Sequence, residues 1–122
     1  MLRDYGIDDG REIFYAIYLD TRHKPIGPVY PVTVGSLNAS LVHPREVFRP
    51  AVQHGAQALI VGHNHPSGDS MPSLDDMQLT QRLSKVGELL GIPLIDHIIL
   101  GQDSHTSIRE YGWPGGDSSE DD

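Results

Sequence analysis

Hydrophobic residues occur along the chain in short runs that predict β-strands. The apolar segments 57–65 and 93–101 have the length of buried strands. The segment 12–20 is rich in aromatic and β-branched residues and predicts a further strand, whereas 28–36 carries two prolines and predicts an edge or interrupted strand. The segment 105–112 is interpreted as the last strand. These segments together predict a mostly buried sheet.

Two further segments show the spacing of apolar residues that is typical of helices. The segment 74–91 is the stronger, and its last residue, Gly91, stands where a helix C-cap is common. Its regularly spaced apolar residues are Leu79, Leu83, Val86 and Leu90. The segment 43–56 predicts a second helix that ends near Gly55 and is kinked at Pro50. Its predicted buried face consists of Val47, Ala51 and Val52.

Strands and helices in this order indicate an α/β or α+β domain in which two main helices cover the sheet. The length of 122 residues fits one domain. We expect a lead-in over 1–11, the domain over 12–112 and an acidic, disordered tail over 113–122.

The composition limits the class of protein. The chain contains no cysteine, which excludes disulfides, cysteine zinc clusters and a cysteine nucleophile. The N-terminal residues lack the apolar core of a signal peptide, and no apolar run reaches membrane-spanning length. We therefore expect a cytoplasmic protein with no membrane partner. The net charge of −8 and the scattered basic residues disfavour DNA as the main partner, although the fold could still gather a few arginines into a local site.

The segment 63–76, HNHPSGDSMPSLDD, carries the candidate chemistry. His63 and His65 end a predicted strand, and residues two apart in a strand point to the same face. Imidazole is a preferred zinc ligand, and catalytic zinc sites commonly have three protein ligands and a water. Asp76, near the start of the next helix, is the leading third ligand, and Asp69 and Asp75 are the alternatives.

These residues also have purely structural interpretations. The two histidines could simply be polar residues that terminate a buried strand. Ser73 is placed as the N-cap of the following helix, which makes Asp76 the third helical residue, where an acid favours the helix dipole. This role and metal binding by Asp76 are compatible.

The spacing His-x-His, seven residues, Ser, two residues, Asp resembles the JAMM metalloprotease signature. HNHPSG, with HPREVFRPA upstream and LIDHIILG downstream, resembles the RadC family (UPF0758-like proteins) within the JAB/MPN superfamily. The resemblance covers roughly residues 12–112. It implies a JAB/MPN fold of the cytidine-deaminase-like layered type, with a curved mixed β-sheet flanked by helices. RadC-like proteins usually carry an N-terminal helix-hairpin-helix region expected to touch DNA, and we expect this chain to be a minimal or shortened version without it.

The resemblance also implies roles for particular residues. His63, His65 and Asp76 would hold one zinc per chain, with water as the fourth ligand. A glutamate near the first strand would deprotonate that water, and we favour Glu12 over Glu46 for this role. Ser73 would stabilise the tetrahedral oxyanion. No residue is assigned to nucleic-acid binding.

The implied activity is that of a JAMM-type zinc metallopeptidase that hydrolyses amide, peptide or isopeptide bonds in an unidentified substrate. The alternative is a DNA-repair or DNA-processing factor whose metal serves a nuclease activity or no reaction. A third hypothesis is an interaction module without catalytic activity. The oligomeric state is left open.

Other polar residues receive lesser predictions. His97 is either a group that supports the site or a buried, hydrogen-bonded histidine, and the neighbouring Asp96 is a candidate to orient a ligand histidine. Asn64 is expected to be structural. The remaining histidines are predicted to be surface or capping residues; they are His23, His43, His54 and His105.

Overall fold

Five strands and three helices form the part of the chain that the computed structural model describes, residues 12–34 and 42–113. In chain order they are β1 (Ile13–Leu19), β2 (Tyr30–Val34), α1 (Pro44–Gln53), β3 (Ala58–Asn64), α2 (Leu74–Leu90), β4 (Leu94–Leu100), β5 (His105–Ser107) and α3 (Ile108–Gly112). The predicted lead-in over 1–11 lies outside the described residues, as does the predicted tail except for Trp113.

The strands form one mixed sheet in the order β2-β1-β3-β4-β5. The central strands β3 and β4 are parallel and are joined by α2, whereas every other neighbouring pair is antiparallel. β2 lies at one edge, as the two prolines of segment 28–36 predict, because a proline has no N–H to donate to a second neighbour. The α+β class and the mixed sheet flanked by helices are confirmed.

The helices α1 and α2 cover one face of the sheet. On that face Leu59 and Val61 of β3 pack in a single buried cluster with Phe48 of α1 and with Leu79 and Leu83 of α2. Alternate residues of β3 point to this face, so the stripe that begins with Leu59 and Val61 continues into His63 at the end of the strand. His63, at the candidate site, is therefore contiguous with the hydrophobic core.

The predicted buried face of α1 is only partly correct. Val47 and Ala51 are buried, but Val52 is 60% exposed, and Phe48 and Pro50 are buried instead. Successive helical residues are about 100° apart, so Val52 turns away from the sheet once Val47 and Ala51 face it. In α2 the predicted C-cap is confirmed, since Gly91 adopts the left-handed conformation with φ 74°.

The prediction of a strand over 105–112 is wrong beyond Ser107. The chain turns there into the short helix α3 because its first N–H groups find side-chain acceptors. Ser107 Oγ accepts a hydrogen bond from the Glu110 N–H at 3.2 Å, and Asp96 Oδ1 accepts from the Arg109 N–H at 3.1 Å. The sequence Ser-x-x-Glu at 107–110 is the capping signal that indicates this helix start.

Candidate metal centre

The end of β3 and the first turn of α2 bring three side chains to one point. His63, His65 and Asp76 each offer a ligand atom, and these atoms all lie within 4.8 Å of one another. Among residues 12–34 and 42–113, this is the one group of three or more His, Cys, Asp or Glu side chains arranged to hold a metal ion. The three residues are those that the motif predicts as ligands. Asp69 and Asp75, the alternative third ligands, are not in the group.

Both histidines present the same ring nitrogen to the same carboxylate. His63 Nε2 lies 2.9 Å from Asp76 Oδ1, and His65 Nε2 lies 2.9 Å from Asp76 Oδ2. Two ligand atoms bonded at about 2.0–2.2 Å to one zinc ion can lie up to about 4 Å apart. These two separations are therefore compatible with a shared ion.

The ring of His65 is held by the loop that follows β3. Its Nδ1 donates a hydrogen bond to the backbone carbonyl of Asp69 at 2.8 Å, and a neutral imidazole then has an unprotonated Nε2. The Asp69 carboxylate turns away and accepts a hydrogen bond from the Met71 N–H at 3.0 Å. Asp69 thus orients a candidate ligand through its backbone.

Asp76 is fixed by the cap of α2. Its Oδ2 accepts from the Ser73 N–H at 2.7 Å, while its own N–H donates to Ser73 Oγ at 3.1 Å. This capping box confirms Ser73 as N-cap and Asp76 as the third helical residue. Burial raises the pKa of Asp76, but the two histidines and the Ser73 N–H outweigh it, and the net pKa is below its ordinary value. The carboxylate is therefore ionised and available as a ligand.

The environment of His63 Nε2 fits a cation. Within the described part of the chain it is the one buried side-chain nitrogen or oxygen without a hydrogen-bond partner. It lies close to Asp76 Oδ1 without the alignment that a hydrogen bond requires. A nitrogen lone pair beside a carboxylate oxygen is unfavourable unless a positive charge lies between them. Two imidazole nitrogens and a carboxylate also match a common donor set of catalytic zinc sites.

Of the two candidate glutamates, the structure brings Glu12 to the centre. Glu12 Oε2 lies 4.0 Å from His63 Nε2. Burial raises the pKa of Glu12 above its ordinary value, although His63 and His65 oppose this effect. Glu46 is exposed on α1 and lines a groove beside Val32 and Arg49. The catalytic role of Glu12 stays a prediction, as does the oxyanion role of Ser73.

A buried pair of residues, His97 and Thr80, supports His63 from behind. His97 Nε2 lies 3.0 Å from His63 Nδ1, and His97 Nδ1 lies 2.7 Å from Thr80 Oγ1. Burial lowers the pKa of His97 well below its ordinary value, so its ring is neutral. The candidate Asp96 does not orient a histidine ring and instead accepts from Ser107 Oγ at 2.6 Å.

Thr80 is not among the residues predicted from the sequence. The available signal was its position four residues after Asp76, which places both on one face of α2.

Comparison with known proteins agrees with this geometry. A family model described as a RadC-like JAB domain matches residues 1–113. The chain belongs to the RadC-like JAB domain family. A UPF0758 protein of Desulforudis audaxviator is 50% identical over 102 residues, which cover 84% of this chain and 44% of that protein. A UPF0758 protein of Protochlamydia amoebophila is 50% identical over 111 residues, covering 90% and 47%. The chain thus spans about half the length of these curated relatives.

The other polar residues of this RadC-like domain are where the sequence places them. The four remaining histidines, His23, His43, His54 and His105, are all exposed. Asn64 has a structural contact, because its Oδ1 accepts a hydrogen bond from the Ile13 N–H at 2.7 Å. Among the described residues no helix has the length and apolar character needed to cross a bilayer.

Gly101→Ala is expected to weaken metal binding by this RadC-like domain. A Cβ at this position would lie 2.5 Å from the Gly68 carbonyl oxygen and 3.0 Å from the Ser70 nitrogen, so the loop after β3 must shift. That loop carries the Asp69 carbonyl that holds His65. We expect zinc affinity, measured by competition with a chromogenic chelator, to fall about 10–100-fold, as for other groups that orient metal ligands. Asp103→Ala, an exposed change in the same turn, should leave it unaltered.

The stability of the chelator-treated protein is expected to depend on the protonation of His65. The hydrogen bond to Asp76 raises the pKa of His65 above its ordinary value of 6.5, although burial opposes it. The folded protein therefore keeps this proton to higher pH than the unfolded chain. The stabilisation that this proton provides is fully present below about pH 6.5, the pKa of histidine in an unfolded chain. It is lost as the pH rises through the pKa of His65 in the folded protein.

Urea unfolding of wild type and His65→Gln over a pH series measures this effect. The difference between their free energies of unfolding should shrink as the pH rises. His54→Gln, at an exposed histidine, is the control for replacing a histidine outside the candidate site. A wild-type advantage over His65→Gln that grows with pH would contradict the prediction.

Proposed function

We propose that this domain is a zinc-dependent hydrolase of amide, peptide or isopeptide bonds. The observation that carries the proposal is the convergence of His63, His65 and Asp76, with the Glu12 carboxylate 4.0 Å from His63 Nε2. Three protein ligands and an adjacent carboxylate are the set that a metal-assisted hydrolysis requires. The similar proteins carry the name UPF0758 protein, which states no activity. The proposal therefore rests on the geometry of the site.

Each residue has a defined part in the proposed reaction. Zinc, when bound, supplies a water activated at neutral pH and polarises the substrate carbonyl. Glu12 accepts a proton from the attacking water and returns it to the leaving amine, and its raised pKa brings it closer to the working pH. Ser73, at the start of α2, donates its hydroxyl hydrogen to the developing oxyanion while its oxygen keeps the bond from the Asp76 N–H.

The packing around the ligands supports catalysis by limiting their movement. The Phe14 ring stacks on the His63 ring, with 5.8 Å between the ring centroids. The backbone N–H of His65 donates to the Leu100 carbonyl at 2.9 Å, so the chain still pairs with β4 just beyond the end of β3. Ligands on rigid elements hold a catalytic geometry more accurately than ligands on free loops.

The test uses the purified chain after chelation and zinc reconstitution. We expect about one zinc per chain by elemental analysis, as for a three-ligand catalytic site. The loaded protein is then assayed against a library of peptides and lysine-linked isopeptides. Cleavage should disappear on chelation and return with zinc. A fully loaded protein that cleaves no member of the library would overturn the hydrolase proposal while leaving the metal centre in place.

The DNA-processing alternative stays a prediction that the described residues do not strengthen. The net charge of the chain is −8, and Arg45 and Arg49 share their groove with Glu46. DNA binding normally relies on clustered positive charge. A gel shift with branched and single-stranded DNA at low salt tests it, and tight, salt-dependent binding would favour this alternative.

A further inference from the structure

A continuous chain of buried polar groups runs behind the metal centre. Thr80, His97 and His63 are each 0% exposed. Thr80 Oγ1 lies 2.8 Å from the Asp76 backbone oxygen and 2.7 Å from His97 Nδ1, and His97 Nε2 lies 3.0 Å from His63 Nδ1. These contacts therefore connect the backbone oxygen of Asp76 to the carboxylate of the same residue, which lies beside His63 Nε2.

The direction of these hydrogen bonds follows from counting hydrogens. The Asp76 carbonyl only accepts, so the single hydroxyl hydrogen of Thr80 is donated to it. Thr80 Oγ1 must then accept from His97, which places the hydrogen of neutral His97 on Nδ1. His97 Nε2 has a lone pair and accepts from His63 Nδ1. In the neutral form of His63, a hydrogen on Nδ1 leaves Nε2 unprotonated.

The opposite direction would break the hydrogen bond from Thr80 to the Asp76 carbonyl. If Thr80 donated to His97, then His97 would donate to His63 and the hydrogen of a neutral His63 would lie on Nε2. The single hydroxyl hydrogen of Thr80 would then no longer be donated to the Asp76 backbone oxygen 2.8 Å away. The geometry therefore favours a hydrogen on Nδ1 of His63.

We infer that Thr80 and His97 are positioning residues that hold a hydrogen on Nδ1 of His63 and so leave Nε2 as the ring nitrogen available to the metal centre. The usual partner of a ligand histidine is a carboxylate, a backbone carbonyl or water. Here the partner is a second histidine, which accepts only because a helix hydroxyl fixes its own tautomer. The consequence for zinc affinity rests on the proposed function, whereas the tautomer itself does not.

The first experiment measures the tautomers in chelator-treated wild-type protein. Two-bond ¹H–¹⁵N correlation spectra distinguish protonated from unprotonated ring nitrogens. With the resonances of both rings assigned, we expect a hydrogen on Nδ1 of His63 and on Nδ1 of His97. An unprotonated Nδ1 on His63 would overturn the inference. This measurement needs no variant and no bound metal, so it remains decisive even if the protein proves to bind no zinc.

The second experiment separates hydrogen bonding from packing at Thr80. Thr80→Val keeps the shape and removes the hydroxyl, whereas Thr80→Ser keeps the hydroxyl. Without its acceptor, His97 is expected to move its hydrogen to Nε2 and donate it to His63 Nδ1, which transfers the His63 hydrogen to Nε2. Zinc affinity should then fall about 10–100-fold in Thr80→Val. Thr80→Ser should restore both the tautomer and most of the affinity. Equal affinities and spectra in the two variants would show that Thr80 acts through packing alone, and would overturn its assigned role.

Discussion

Asp76→Asn is expected to lower zinc affinity at least about 100-fold, at or beyond the upper end of the loss typical of residues that only orient metal ligands. The change removes the negative charge of the carboxylate whose two oxygens each lie 2.9 Å from a histidine Nε2. It keeps an oxygen that can accept from the Ser73 N–H, so α2 should remain capped. Elemental analysis after zinc reconstitution and competition with a chromogenic chelator measure the effect.

The matched control is Asp75→Asn, one residue earlier in the same helix turn. Asp75 is acidic and close to the centre in sequence but is not part of the ligand group. The Asp75→Asn protein should bind zinc as wild type does. Zinc should also stabilise wild type but not Asp76→Asn against urea, by about 2.7 kcal/mol at a free zinc concentration 100 times Kd. If Asp76→Asn and Asp75→Asn lost zinc affinity equally, the assignment of Asp76 as a ligand would be wrong.

The candidate ligand set could be predicted from sequence because its determinants are local. His63 and His65 share a face through strand geometry, and Asp76 is placed by a helix start that Ser73 signals. None of these inferences needs to know which strands are neighbours. The same local rules identify the edge strand β2 and the C-cap Gly91.

The support behind His63 could not be predicted in the same way because it depends on strand register. Asp96 and His97 are adjacent in sequence and point to opposite faces of β4. Pairing of Val61 with His97 places His97 on the face of His63, and a register shift precedes this pair. Both residues can be identified in the sequence, but the register in which β3 pairs with β4 cannot be predicted from it. Thr80 meets His97 only once α2 has packed on that face.

Glu12→Gln is expected to abolish hydrolysis without removing the metal. Gln has nearly the same shape but cannot accept a proton from water at neutral pH, and loss of a general base typically costs about 10²–10⁴-fold in rate. Glu12 does not belong to the ligand group, so zinc content should stay near that of wild type. The measurement compares kcat on a substrate cleaved by wild type with zinc per chain in the same preparations.

Glu46→Gln is the control that distinguishes the two candidate bases. Glu46 is exposed on α1 and lines the groove beside Arg45 and Arg49, so its replacement should leave both kcat and zinc content near wild type. If Glu46→Gln were inactive and Glu12→Gln active, the base assignment would be reversed and the 4.0 Å approach of Glu12 to His63 Nε2 would have no catalytic meaning. Full activity in both variants would instead require the proton to be moved by another group. A rate loss confined to Glu12→Gln, with zinc retained, is the pattern that a general base beside the centre must produce, because a residue that only stabilises the fold would lose metal and activity together.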